Sequence, residues 1–133
     1  MLEGYATRLS IDYLAPIDIK KLREINEKLI IAAQNKDSNL YSILNYQFHE
    51  TIYKNTPKPT LLSLIQQLWD KWKFTAQVFS VAPERMAESY REHEDIIKLI
   101  EERNYYEVEL AVRNHKMAAL AVWSKSLPDS SEY

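Results

Sequence analysis

The sequence predicts an all-α fold, an antiparallel helical bundle, on three observations. Breakers are scarce: the chain holds one glycine, Gly4, and five prolines, Pro16, Pro57, Pro59, Pro83 and Pro128, so the stretches between them are free to be helical. Within those stretches apolar residues return every three to four positions, the repeat of one face of a helix. The breaks are only a few residues long, which favours antiparallel neighbours. With 133 residues, 46% of them hydrophobic, the chain can bury one core and is too short for two comfortable domains.

Six helical segments follow in order. The first runs from about Leu2 to Leu14 and stops at Ala15-Pro16, because the residue before a proline is pushed out of the helical region. The second starts near Asp18, read as its cap, carries Leu22, Ile25, Leu29, Ile30 and Ala33 inward, and ends around Asn35. Asp37 or Ser38 caps the third, whose inward side holds Leu40, Leu44, Phe48 and Ile52, and which ends before Pro57-Lys58-Pro59. The fourth, about Thr60 to Val81, is long and bulky, with Leu61, Leu64, Ile65, Leu68, Trp69, Trp72 and Phe79 on a face broad enough for more than one neighbour. Pro83 suits the first position of the fifth, which runs to about Arg103, and Asn104 turns the chain into the sixth, ending near Ser126. Residues 128–133 read as a frayed tail, leaving 1–127 as the folded domain.

Several function classes are excluded or disfavoured by composition. Cysteine is absent, which removes disulfides, thiolate metal sites and a thiol nucleophile, so a metal would need nitrogen and oxygen ligands. No apolar run reaches membrane-span length and the first residues do not form a signal peptide, so a soluble cytoplasmic protein is expected. The formal net charge is -2, and the basic groups Lys20-Lys21-Arg23 and Lys71-Lys73 are short and diluted by Asp18, Glu24 and Asp70, the pattern of solvated helix faces. This chain by itself is therefore not expected to bind nucleic acid. No repeat or glycine-rich phosphate loop is present.

The chemistry-bearing feature is the placement of histidine. His49, His93 and His115 are the only three, and each lies on the apolar stripe of a different segment. Around His93 the stripe reads Met86, Tyr90, Ile97 and Ile100, and around His115 it reads Val108, Val112, Ala119 and Val122. An inward stripe takes about three positions in seven, so three such placements by chance have a probability of about 0.08. A single histidine on an apolar face is ordinarily a core residue satisfied by a hydrogen bond, and that reading stays open here. Three converging imidazoles suggest a metal site instead, one suited to zinc, nickel or a similar divalent ion and with positions left for water or an exogenous carboxylate. Asn45 stands one turn before His49 on the same face and can share the ion.

Taken together, Leu2-Glu3-Gly4-Tyr5-Ala6, Asn45-Tyr46-Gln47-Phe48-His49-Glu50-Thr51-Ile52-Tyr53, Leu61 to Trp69, Ser89-Tyr90-Arg91-Glu92-His93-Glu94-Asp95-Ile96-Ile97 and Asn104 to His115 resemble the effector-binding C-terminal domain of FadR-type GntR transcription regulators, over nearly the whole chain. The resemblance implies an antiparallel bundle of six to seven helices, a homodimer, and a divalent metal held by an aspartate and three histidines, beside which a small carboxylate metabolite binds. His49, His93 and His115 fall on the three histidine ligands, and Asn45 falls where the aspartate usually stands. An amide oxygen is a neutral, weaker ligand than a carboxylate, so Asn45 should lower metal affinity and leave the ion's charge to favour an anionic effector. The winged helix-turn-helix that precedes this domain in such regulators is missing from the sequence, which opens directly at the effector domain, so DNA would be reached through a domain outside this chain.

Among the remaining residues, Ser89 is a candidate for bonding an effector or a metal water, and Arg91 or Lys73 for pairing an effector carboxylate. All three also suit ordinary surface or packing roles. Trp69, Trp72 and Trp123 read as core or subunit contacts. Glu92 and Glu94 flank His93, point about 100° to either side of it, and are expected in solvent. The reading that follows is a ligand-sensing, dimerising domain of a repressor. Two others compete: a small hydrolytic metalloenzyme, which needs a placed acid or base, and a structural bundle with metal-free buried histidines.

Overall fold

In the computed structural model, which describes residues 2–71 and 76–126, the chain forms seven α-helices and one short 3-10 turn, and among the described residues there is no strand. The helices are α1 (Leu2–Ser10), α2 (Pro16–Gln34), α3 (Ser38–Tyr53), α4 (Pro59–Lys71), α5 (Ala76–Val81), α6 (Glu84–Glu101) and α7 (Tyr105–Ser126), with the 3-10 turn Ile11–Tyr13 extending α1. The first segment thus closes where the Ala15-Pro16 step requires. The stretch expected as one helix from Thr60 to Val81 is described as α4 and α5, on either side of residues 72–75. Lys73, Trp72, the side chain of Trp123 and the expected tail 128–133 lie outside the described residues.

Local rules account for the ends. Pro16 is the first residue of α2, where its missing N–H costs nothing, and the Asp18 carboxylate reaches back to accept from the Ala15 N–H at 2.8 Å. Asp18 is therefore the third residue of the helix rather than its cap. Asp37 does cap α3, accepting from the Leu40 N–H at 3.1 Å. Pro83 sits one residue ahead of α6, at the cap rather than in the first turn. Helices α2 and α6 both end on a left-handed residue, Lys36 (φ 55°) and Arg103 (φ 56°), with the next N–H bonding five residues back. Glycine usually fills such positions, and a chain this poor in glycine uses lysine and arginine instead.

Three-residue connections lay α2 against α3 and α6 against α7, so both pairs run antiparallel; α2 also packs on α6, and α1 on α7. The core takes Leu22, Leu29, Phe48, Ile52, Ile96 and Val108, all fully buried. Tyr41 is buried too, and its hydroxyl ties α3 to α6 by donating to the Met86 carbonyl at 2.9 Å. Not every position on the expected stripes is inward: Leu40, Leu64 and Leu68 are exposed, because the one-turn neighbours Leu44, Leu61 and Ile65 already fill the space facing the core. No described helix is long and apolar enough to cross a membrane.

The α1–α7 seat depends on the one glycine. A Cβ built on Gly4 would lie 2.8 Å from the carbonyl oxygen of Glu109, a backbone atom that cannot swing aside. We expect Gly4→Ala to destabilise the fold by about 1–3 kcal/mol through this overpacking. A melting midpoint equal to that of the unsubstituted protein would contradict the close approach of α1 to α7.

Candidate metal centre

Three helices each deliver one histidine to the same point. His49 on α3, His93 on α6 and His115 on α7 are all buried, with ring centroids 4.8 to 5.2 Å apart. One nitrogen from each ring lies within 4.8 Å of the other two. Phe48 stacks flat on His93 at 4.0 Å and fixes the plane of that ring.

What orients the rings is the set of groups behind them. Asn26 on α2 donates its Nδ2–H to the Tyr90 carbonyl at 3.0 Å, which leaves its Oδ1 facing His93 Nδ1 at 3.2 Å as an acceptor. His93 therefore carries its proton on Nδ1. The Glu92 carboxylate accepts from His115 Nδ1 at 2.6 Å, with the same result. Behind His49 stands the Tyr53 hydroxyl, 3.4 Å from Nδ1 and close to the Glu3 carboxylate, a stronger acceptor for its proton than the ring, so its oxygen is left to accept from the ring. All three Nδ1–H groups are turned outward onto acceptors, and all three Nε2 lone pairs face inward.

Inward-facing lone pairs lack partners. His93 Nε2 and His115 Nε2 stand 3.3 Å apart with no proton between them in these tautomers, and His49 Nε2 is buried without a hydrogen bond. Tetrahedral coordination at a zinc–nitrogen length near 2.05 Å sets ligand nitrogens about 3.4 Å apart, so the first pair is already at coordination distance. The Asn45 side-chain oxygen is likewise buried and unpartnered, one turn from His49. The three converging donors fit a divalent ion: neutral imidazoles, each backed by an acceptor as metal-bound histidines usually are.

The electrostatics keep the rings neutral. Burial drives the His49 and His93 pKa values well below the ordinary histidine value, and the Lys116 charge adds to the effect at both. Burial also lowers His115, though the Glu92 hydrogen bond works against it. Burial opposes ionisation of Glu92, but its bonds to His115 and Arg85 outweigh that and hold the carboxyl below its ordinary value. Arg85, buried, forms a two-pronged pair with Glu92 and donates to the His115 carbonyl at 3.2 Å. On the other flank, Lys116 follows His115 and lies 4.4 Å over the Trp69 ring and 3.5 Å from Glu3.

Of the residues singled out in the sequence, His49, His93 and His115 are brought together, and Asn45 lies one turn from His49 with its side-chain oxygen buried. Ser89 is fully buried beside the Tyr41 hydroxyl, its own oxygen without a hydrogen-bond partner. Arg91 is exposed, its guanidinium 5.9 Å from the Tyr90 ring centre on the outer side of α6. Glu94 is exposed as expected, but Glu92 is not where the sequence reading put it: 100° around α6 from His93 lies α7 rather than water, so Glu92 reaches His115. Asn26, Tyr53, Arg85, Lys116 and Glu3 were missed. Asn26 gave a signal, a polar residue on the stripe Leu22, Ile25, Leu29, and so did the helical spacing of Arg85, Glu88 and Glu92.

The fold is a helical bundle with three buried histidines at its centre, and comparison with known proteins gives its class. The FCD domain family matches residues 1–118. The chain belongs to that family, the effector-binding domain of FadR-type GntR regulators. It is 35% identical over 68 residues to the HTH-type transcriptional regulator McbR of Escherichia coli (strain K12), an alignment covering 51% of this chain and 31% of McbR. The solved structure of E. coli McbR/YncC superposes with a TM-score of 0.87 at 22% identity, over 95% of this chain and 64% of that one. The chain thus spans less than two thirds of the length of these relatives.

Burial of neutral rings makes stability depend on pH. The unfolded chain takes up protons on His49 and His93 near their ordinary pKa of 6.5, while the folded centre resists them until lower pH. Stability from this source is complete above that value and is lost as pH falls below it, by up to about 1.4 kcal/mol per pH unit for each ring. For metal-stripped protein we expect the melting midpoint to hold steady above about pH 7 and to drop increasingly steeply as pH falls below about 6.5. A flat profile would mean the rings protonate as freely when folded as when unfolded.

Proposed function

We propose that this chain is the sensing domain of a GntR/FadR-type regulator in which His49, His93 and His115, with Asn45 as a fourth, weaker donor, hold a divalent metal, zinc or nickel, and a small carboxylate binds at or beside it. The observation that carries the reading is the convergence of three Nε2 lone pairs whose rings are locked from behind by Asn26, Tyr53 and Glu92. Such an ion is a charged Lewis acid held by neutral ligands. Two carboxylates beside the cluster, Glu92 and Glu3, are each already paired with a cation, Arg85 and Lys116. Most of a +2 charge is left to be met by an anion from outside, which favours a carboxylate effector. Ser89, with an unused buried hydroxyl, is the side chain we assign to its polar contacts.

Control of DNA would run through a winged helix-turn-helix attached to this domain, with effector binding favouring one arrangement of a homodimer over another. A cytoplasmic setting fits that role. The hydrolytic reading needs a free acid or base beside the ion; the nearest carboxylate, Glu92, is committed to Arg85 and His115.

Calorimetric titration of zinc into metal-stripped protein tests the reading. We expect zinc to bind, Asn45→Asp to tighten it by about tenfold through the added charge, and Glu92→Gln to weaken it by about 10–100-fold through loss of ring orientation. No zinc binding, or binding indifferent to His93→Ala, would sink the metal assignment.

A further inference from the structure

Glu3 makes contacts unusual for a residue on the first turn of a helix. It stands at the start of α1, yet its carboxylate is only 16% exposed and meets three other helices. One oxygen accepts from Trp69 Nε1 of α4 at 2.6 Å, and the other faces Lys116 Nζ of α7 at 3.5 Å. The Tyr53 hydroxyl of α3 also lies near it. Trp69 and Tyr53 are in turn against the metal position: the Trp69 ring lies 6.1 Å from the His49 ring, and Tyr53 backs His49 Nδ1.

The surroundings form a receptor for a carboxylate: an ammonium, an indole N–H and a phenol O–H converge on one place next to the three histidines. The ammonium needs an anion. Lys116 is 15% exposed, it is one residue from His115, and Glu3 is the carboxylate paired with it. A metal ion at the histidines would raise that need further, since it adds positive charge beside an already poorly solvated cation.

We propose that Lys116, Trp69 and Tyr53 form a carboxylate subsite adjoining the metal position, that the Glu3 side chain fills it in the absence of effector, and that a short dicarboxylate occupies both positions at once and displaces Glu3. The proposal rests on the metal-and-carboxylate reading above and adds the second anion position and its internal occupant. Exchange of one carboxylate for another leaves the subsite's charge and hydrogen bonds intact, so the displacement carries little electrostatic cost, and Glu3 needs to swing only from the end of a helix into water. The first turn of α1 then loses its side-chain ties to α3, α4 and α7, while the Gly4 contact with Glu109 keeps the rest of α1 seated. Ligand binding is thereby converted into release of one chain segment.

Calorimetry on the zinc-loaded chain with succinate and acetate as probes tests this, together with hydrogen exchange in the first turn of α1. Expected results are tighter binding of succinate than acetate, a gain of about fivefold or more in succinate affinity in Glu3→Gln with acetate within about twofold, and loss of the succinate preference in Lys116→Met. Trp69→Phe, which removes the indole donor from Glu3 and preserves a large ring, should also change the ratio of the two affinities. Succinate should speed exchange in the first turn of α1, and acetate should not. Zinc and both acids binding with Glu3→Gln indistinguishable from the unsubstituted chain would overturn the displacement and leave the metal-and-carboxylate reading standing. If neither acid binds the zinc-loaded chain, both fall.

Discussion

Everything at the centre of this protein depends on three hydrogen bonds that are made behind the histidines rather than between them. A buried imidazole must dispose of one N–H and one lone pair, and which nitrogen carries the proton is decided by the acceptor within reach. Asn26, Tyr53 and Glu92 each offer an acceptor on the Nδ1 side. Three different helices supply them, α2, α3 and α6, so the tautomers are set by the assembled bundle rather than by any one segment. The core thereby concentrates three bare nitrogens where an apolar core would hold methyl groups. Such an arrangement is poor as packing and good as a ligand set.

The cost of that arrangement explains the charged residues around it. Arg85 is fully enclosed, which is tolerable only because Glu92 binds it with both oxygens and the His115 carbonyl takes a further N–H. Glu92 thus does two jobs with one carboxylate, orienting a histidine and neutralising an arginine. Lys116 and Glu3 repeat the pattern on the opposite flank, with Trp69 holding both partners. The two pairs differ in where their members stand. Arg85 and Glu92 sit within one helix, in the middle of the fold, whereas Glu3 reaches Lys116 from the first turn of α1.

Much of this was legible in the sequence, and the reasons differ for fold and site. Helix positions followed from Pro16, Asp37, Pro59 and Asn104, since backbone chemistry acts locally and leaves local marks. The convergence of the three histidines was legible because a helical repeat tells which residues share a face. Glu92 was misread for a related reason. Helical periodicity gives an angle from the neighbouring residue, and whether that angle faces water or another helix depends on how α6 and α7 pack. Leu40, Leu64 and Leu68 failed the same way, as apolar residues on a face wider than the core it meets. Glu3 was out of reach altogether, because its partners Tyr53, Trp69 and Lys116 are brought to it by tertiary structure alone.

A sensing domain has to couple a small ligand to a large displacement, and the distribution of rigid and loose elements here suits that task. Phe48 stacked on His93, the Tyr41 bond to Met86 and the Asn26 bond to Tyr90 fix α2, α3 and α6 to one another through buried contacts. These would resist any ligand-driven change, because moving them leaves buried polar groups unpaired. The α1 side is held by the close seat of Gly4 on α7, by buried Ala6 and by the Arg8–Glu109 pair, while its first turn is tied to the other helices by the Glu3 carboxylate. On the proposed reading, a ligand at the centre would meet a frame of buried polar contacts among α2, α3 and α6 and a carboxylate tie at the first turn of α1 that can be exchanged. Its binding free energy would then be directed to that turn, since a conformational equilibrium shifts only along the coordinate on which the ligand's affinity differs between states.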